Sequence, residues 1–209
     1  MRAIHWFMIF LSLLTLAGIT SGSPRPETFN KVAADPYYKP DKIISKLNLK
    51  PGDFVLDLGA GGGYFSYRFA DLVGNKGKVF ALDVNPSYLN YIRKELKKRK
   101  LNNVRPVLVE KDSISRQKTR VDLIFLRNVY HHIDNRVSYF KQMRRLLKPH
   151  GRLVIIDHLE GDPDDFITKY KHFTPRPIIL KEMKAAGYSR VKEWYFLPNQ
   201  TFIIYRMEK

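Results

Sequence analysis

The chain has 209 residues, room for one domain of ordinary size, and 44% of them are apolar, so it folds around its own core rather than staying disordered. It contains no cysteine, which excludes disulfides, thiolate metal sites, a cysteine nucleophile and a lipobox-type anchor while leaving the redox compartment open. A formal charge of +17 suits nucleic acid, anionic lipid or acidic substrates, and equally a generally basic soluble surface.

Residues 4–19 are almost wholly apolar, with Arg2 before them and Thr20-Ser21-Gly22-Ser23-Pro24 after. This predicts a signal peptide over residues 1–22, cleaved after Ser21 or Gly22. The apolar run is a little short of a roughly 20-residue span, and the alternative is an uncleaved membrane anchor. The segment carries only one charged residue, Arg2, so its removal leaves a strongly basic body. Pro24, Pro26 and Pro36 predict an irregular linker over 23–39. Pro40 opens a short amphipathic helix with Ile43, Ile44 and Leu47 on one face, and with it a domain covering 40–209.

Apolar runs suited to buried strands then alternate with helix-period segments. Strands are expected at 54–58, 78–84, 104–109, 121–126 and 152–157. Helices are expected at 64–73, with Phe65, Phe69 and Leu72 inward; at 86–100, with Tyr88, Ile92 and Leu96 on one face; and at 136–147, closed by Lys148-Pro149-His150-Gly151. Such alternation implies a mostly parallel sheet covered on both faces. The last part breaks the rhythm: a helix at 178–186 ends at Gly187, and strands at 191–197 and 201–206 are separated only by Pro198-Asn199-Gln200. That gap permits a hairpin and no crossover helix, so the final strand runs antiparallel.

The first strand ends in Asp57-Leu58-Gly59-Ala60-Gly61-Gly62-Gly63. Glycines here open backbone angles closed to other residues and let a ligand approach the main chain. Twenty residues past Gly63, Asp83 ends the second strand, placed to accept hydrogen bonds from ribose hydroxyls. A dinucleotide fold requires another glycine three residues after the second, and that position is Tyr64. The chain also leaves no room for a dehydrogenase's substrate domain.

Segments 55–66, 81–85, 121–132 and 146–158 resemble the successive motifs of the class I methyltransferases, over roughly residues 40 to 208. The likeness extends to the small bacterial group with paired histidines after the fourth strand and a Leu-Lys-Pro-Gly-Gly string before the fifth. It implies an α/β three-layer sandwich with a seven-stranded, mostly parallel sheet and an antiparallel C-terminal strand. The implied cofactor is S-adenosylmethionine. Gly59, Ala60, Gly61 and Gly63 would pass beneath its methionine and ribose portions, Asp57 would hold the methionine end, and Asp83 with Val84 the ribose. Asp112 would meet the adenine amino group with Ser113 and Ile114 beside the ring, and Asn128 would lie near the sulfonium.

Methyl transfer from a sulfonium is an in-line displacement in which positioning does most of the work, and a base is needed only if the acceptor must lose a proton. His131 and Asn128 are the candidates for a catalytic role. Adjacent histidines are not expected to face one site together, so one of the pair caps or packs, and His131 is preferred over His132 as the one that faces the acceptor. Tyr64, Tyr130, His132, His158 and His172 are candidates for the acceptor pocket, along with the acids of the loop after the fifth strand (Asp157, Glu160, Asp162, Asp164 and Asp165). With no HExxH string and no third ligand at a set spacing from His131-His132, no metal is expected.

The expected acceptor is a small molecule or a lipid-like or quinone-like compound, with an anionic membrane surface as a further partner. The alternatives are an RNA or other nucleic-acid methyltransferase using the basic run 93–100, and a non-catalytic module that only binds S-adenosylmethionine. Nucleic acid is disfavoured because Arg127-Asn128-Val129-Tyr130 lacks the Asn/Asp-Pro-Pro-aromatic string used on base amines, and because an export signal precedes the domain. Arsenite methylation is disfavoured for want of cysteine. The composition leaves the oligomeric state open. The expected location is exported or membrane-anchored, or cytoplasmic if the start site is assigned too early. Fractionation with N-terminal sequencing checks this: the expected chain lies outside the cytosol and begins at Gly22 or Ser23, or keeps Met1 in the membrane fraction. A full-length chain free in the cytosol overturns it.

Overall fold

The computed structural model describes residues 24–110 and 119–208. Strands β1 (Phe54–Leu58), β2 (Lys78–Asp83), β3 (Val104–Leu108), β4 (Val121–Arg127), β5 (Leu147–His158), β6 (Tyr188–Trp194) and β7 (Gln200–Met207) form one sheet in the order β3-β2-β1-β4-β5-β7-β6. Neighbours from β3 through β5 are parallel. The short β6–β7 connection forces a hairpin, and β7 slots antiparallel between β5 and β6.

Helices α1 (Pro26–Ala34), α2 (Pro40–Leu47), α3 (Tyr64–Val73), α4 (Pro86–Arg99), α5 (Arg136–Met143), α6 (Phe166–Lys169) and α7 (Arg176–Ala185) accompany the sheet. Because side chains alternate across a strand, the apolar strands feed two separate cores. One joins Val55, Ala81, Phe125 and Ile156 to Leu47, Phe69 and Ile92 of α2, α3 and α4. The other joins Leu56, Leu82, Ile124 and Ile155 to Phe140 of α5 and Met183 of α7. The result is the expected three-layer sandwich, with the C-terminal ends of the parallel strands along one edge, where open α/β sheets bind ligands.

Several local expectations are corrected. Residues 26–34 are helical: Pro26 sits in the first turn, where its missing N–H costs nothing. Leu72 is exposed and Val73 takes the inward position of α3. Strand β5 starts at Leu147, absorbing Lys148–Gly151 through a register irregularity opposite Val121 and Leu123. The basic run of α4 lies largely on its exposed face, where Glu95 pairs with Lys98 at 2.7 Å and Arg99 at 3.5 Å. Among the described residues no helix is long and apolar enough to cross a membrane. The apolar segment 4–19 lies outside them.

Phe125 is buried under Phe65 and Phe69, with ring centroids 4.9 and 5.1 Å away. Phe125→Ala should lower stability by about 3–5 kcal/mol in a denaturant titration, since neighbouring strands prevent collapse of the cavity.

Candidate active site

The turn leaving β1 is closely packed at Gly59, Gly62 and Gly63. Gly59, Gly61 and Gly63 all have positive φ, at 75°, 54° and 86°. A Cβ on Gly59 would collide with Val129, and one on Gly63 would lie 2.6 Å from the Tyr67 ring. The N–H groups of Gly59 and Ala60 both bond to the Leu82 carbonyl, tying the turn to the end of β2. Asn30 of α1 braces its far side, donating to the Gly62 carbonyl at 2.8 Å and accepting from the Tyr64 N–H at 3.0 Å. It thus caps α3 from a distant part of the chain.

Two carboxylates stand at this turn. Asp57 is buried at the end of β1 and accepts a 2.5 Å bond from Ser66 Oγ. Burial, opposed by that bond and reinforced by Asp83, pushes its pKa up from 3.8 to about 7. Asp83 accepts from the Gly61 and Asn85 N–H groups at 2.8 and 2.9 Å, and burial raises its pKa as well. Val84 beside it is exposed. The exposed Gly59 and half-buried Ala60 and Gly61 leave main chain open on the crevice side. Bare backbone, an acid at each of two adjacent strand ends and a solvent-facing Val84 fit a nucleoside-bearing cofactor with a cationic amino-acid tail. Asp112 and Ser113, with Ile114, lie outside the described residues.

At the end of β4 stand Arg127 and Asn128. Asn128 has φ 57°, and its Oδ1 accepts from Gln200 Nε2 at 2.6 Å, which fixes it against the first residue of β7. Arg127 packs over Tyr38 and Phe65, 5.0 and 5.7 Å from their centroids. Its Nε and Nη2 are sealed from solvent without a hydrogen-bond partner, and burial lowers its pKa to about 10. Tyr64, half-buried at the start of α3, accepts a 3.0 Å bond from Arg68.

A short 3-10 turn, Tyr130–His132, follows. It sends Tyr130 back into the core, where the ring stacks on Phe140 at 5.2 Å and the hydroxyl donates to Glu182 at 2.7 Å. Tyr130 therefore cannot wall an acceptor pocket. The histidine expectation is also corrected: the rings of His131 and His132 lie 4.0 Å apart, and His172 meets both at 5.6 Å. The third nitrogen that the adjacent pair lacks in sequence comes from His172, and one ring nitrogen of each lies within 4.8 Å of the others.

His131 Nδ1 is hydrogen-bonded to Asp157 Oδ1 at 2.8 Å, with both side chains nearly inaccessible to solvent. With a carboxylate on Nδ1, the neutral imidazole carries its proton on Nδ1 and its lone pair on Nε2. Burial pushes His158 down to about 4, with His131 and Arg127 adding to the effect. His132 reaches solvent on one side, yet desolvation and then His131, His172 and His158 hold it at about 4. His172 is lowered by burial and by His131. The loop acids turn outward into local turns: Asp165 caps α6, and Asp162 accepts from the Asp164 N–H.

Arg127, Gln200 and Asn30 are not singled out by residue type alone. The signal for Arg127 and Asp157 is positional, since each is a charge ending an otherwise apolar strand run.

A family model described as a methyltransferase domain matches residues 49–189. Among curated proteins, the ubiquinone/menaquinone biosynthesis C-methyltransferase UbiE of Francisella philomiragia is 30% identical over 117 residues, 56% of this chain and 47% of that protein. The enzyme of the same name from Shewanella sediminis is 31% identical over 122 residues, 58% and 49% of the two chains. The chain thus spans about half the length of the curated relatives it matches. Among solved structures, a SAM-dependent methyltransferase from Aquifex aeolicus superposes with TM-score 0.76 at 24% identity, covering 88% of this chain and 98% of that one. YcgJ from Bacillus subtilis follows the same fold with TM-score 0.60 at 20% identity, covering 74% and 70%. The glycine turn with its two acids, the sheet order and the family match lead to one conclusion: the chain belongs to the class I S-adenosylmethionine-dependent methyltransferases, with S-adenosylmethionine as its cofactor.

Proposed function

We propose that the chain transfers the methyl group to a small-molecule acceptor that carries an anionic group, seated at the ends of β4 and β5. The observation that carries this reading is Arg127. A guanidinium with two nitrogens sealed from water and unpaired is costly to the free protein, and an anion placed there satisfies it bidentately. The Tyr38 and Phe65 rings lie within cation–π distance of it, and His158 lies within its field. The relatives' name assigns them a C-methylation in quinone biosynthesis, and an acceptor ring with an ionised hydroxyl is one chemistry that meets this requirement.

S-adenosylmethionine supplies an electrophilic methyl on a sulfonium, so the protein's work is orientation, worth on the order of 7–11 kcal/mol in well-aligned reactions. In this reading the glycine turn and Asp83 hold the nucleoside, and Asp57 takes the tail ammonium. Asn128, fixed by Gln200, sits at the methyl, and Arg127 fixes the acceptor's charged end.

A methyl-transfer screen with labelled cofactor, run on acids and phenols paired with their esters and ethers, tests the acceptor. Transfer confined to the anionic members is expected, and equal transfer to neutral partners overturns it. Arg127→Met should weaken anionic acceptors by about 100-fold or more in KM while leaving cofactor binding intact. It should also leave the free protein as stable as before or more so, because it removes an unpaired charge. A large loss of stability would assign Arg127 a structural role instead.

Asp57 makes cofactor binding depend on pH. Its folded pKa of about 7 exceeds the ordinary 3.8, so between those values the folded chain keeps a proton that the unfolded chain has lost. The free protein therefore loses stability as pH rises through that window and levels off above it. A cationic tail favours the ionised carboxylate, so affinity for S-adenosylhomocysteine should rise about tenfold per pH unit below the folded pKa and then flatten. Titration calorimetry across this range checks it, and Asp57→Asn should abolish the slope.

A further inference from the structure

The paired histidines and His172 come from segments that meet only in the folded chain, and two of the three rings are held by neighbours outside the cluster. His131 is fixed by Asp157 at 2.8 Å, and His172 stacks on Phe166 with centroids 5.1 Å apart and planes 13° from parallel. One ring nitrogen of His131, His132 and His172 lies within 4.8 Å of the other two. We propose that these three histidines bind a divalent transition metal ion, with zinc as the reference.

A zinc ion holding imidazoles at about 2.0–2.1 Å in a tetrahedron brings their nitrogens to about 3.3 Å apart, so the present spread closes by small ring rotations. A buried carboxylate bonded to one ring nitrogen, with the other left for the ion, is how metal-binding histidines are oriented and made more basic, and Asp157 takes Nδ1 of His131, leaving Nε2 for a metal. Three imidazoles with no carboxylate among the ligands suit zinc, copper, nickel or ferrous iron rather than magnesium or calcium. Three protein ligands also leave a position open for water or an acceptor oxygen, the pattern of catalytic rather than structural ions. The inference stands apart from the acceptor reading, because the metal alone is the probe.

The test uses the full chain, stripped with a chelator and titrated with cobalt(II), then with zinc in competition. One cobalt per chain, with the visible absorption of a nitrogen-ligated tetrahedral ion displaced by zinc, is expected. His172→Ala and His132→Gln should weaken cobalt by at least about 100-fold, and Asp157→Asn by about 10–100-fold. His150→Ala, outside the cluster, should change nothing. Retained affinity for S-adenosylhomocysteine shows that each variant is folded. Absence of the cobalt band in the wild-type chain overturns the proposal, as does undiminished binding in folded His172→Ala, or a loss in His150→Ala equal to that in the cluster variants.

Discussion

The chain has to pass from β1 into α3 at a point where three glycines stand at positive φ and Val129 and Tyr67 occupy the space that β-carbons would need. Much of the site follows from that close passage. The Gly59 and Ala60 N–H groups are bound to the end of β2, and Gly61 to Asp83, so the turn is stretched across two strand ends. This draws Asp57 and Asp83 together in a poorly hydrated place, and burial lifts both pKa values. A cation or hydroxyl donors placed against these two acids would relieve what burial imposes on them, and binding there would gain that relief.

The same logic runs along the neighbouring strand ends. Arg127 Nε and Nη2, Asp157 Oδ2, Gln200 Oε1 and Thr201 Oγ1 are buried without partners, and all lie where β4 and β5 end and β7 begins. Each such group costs about 1–3 kcal/mol when left unmatched. The two apolar cores below it, by contrast, are filled by strand and helix side chains. A fold that gathers most of its unmatched buried polar groups at one edge keeps binding capacity there.

Not all of the unmatched groups belong to the crevice. Trp194 Nε1 and Tyr205 OH are also buried without partners on the C-terminal hairpin, and the structure offers no account of them. Position at the strand ends, rather than isolation alone, separates Arg127 and Asp157 from these two.

Strand and helix periodicity, the glycine turn and Asp83 are local properties, and from them the sheet class, the hairpin and the identity of the methyl donor were legible, because a 2- or 3.6-residue period and a run of glycines act within a few residues. The irregularity expected of 26–34 failed because a proline in a first turn reads the same as a proline in a linker, and only docking against Gly62 and Tyr64 distinguishes them. Tyr130 and the two histidines after it are consecutive and alike in polarity, yet the 3-10 turn buries the first and joins the others to a ring 40 residues beyond His132. What the residues determined by themselves is the sheet class and the methyl donor. Which side chains meet at the ends of β4 and β5, and that Arg127 Nε and Nη2 lie there unpaired, was decided by the tertiary structure, since β5, β7 and the segment before α7 converge there from separate parts of the chain.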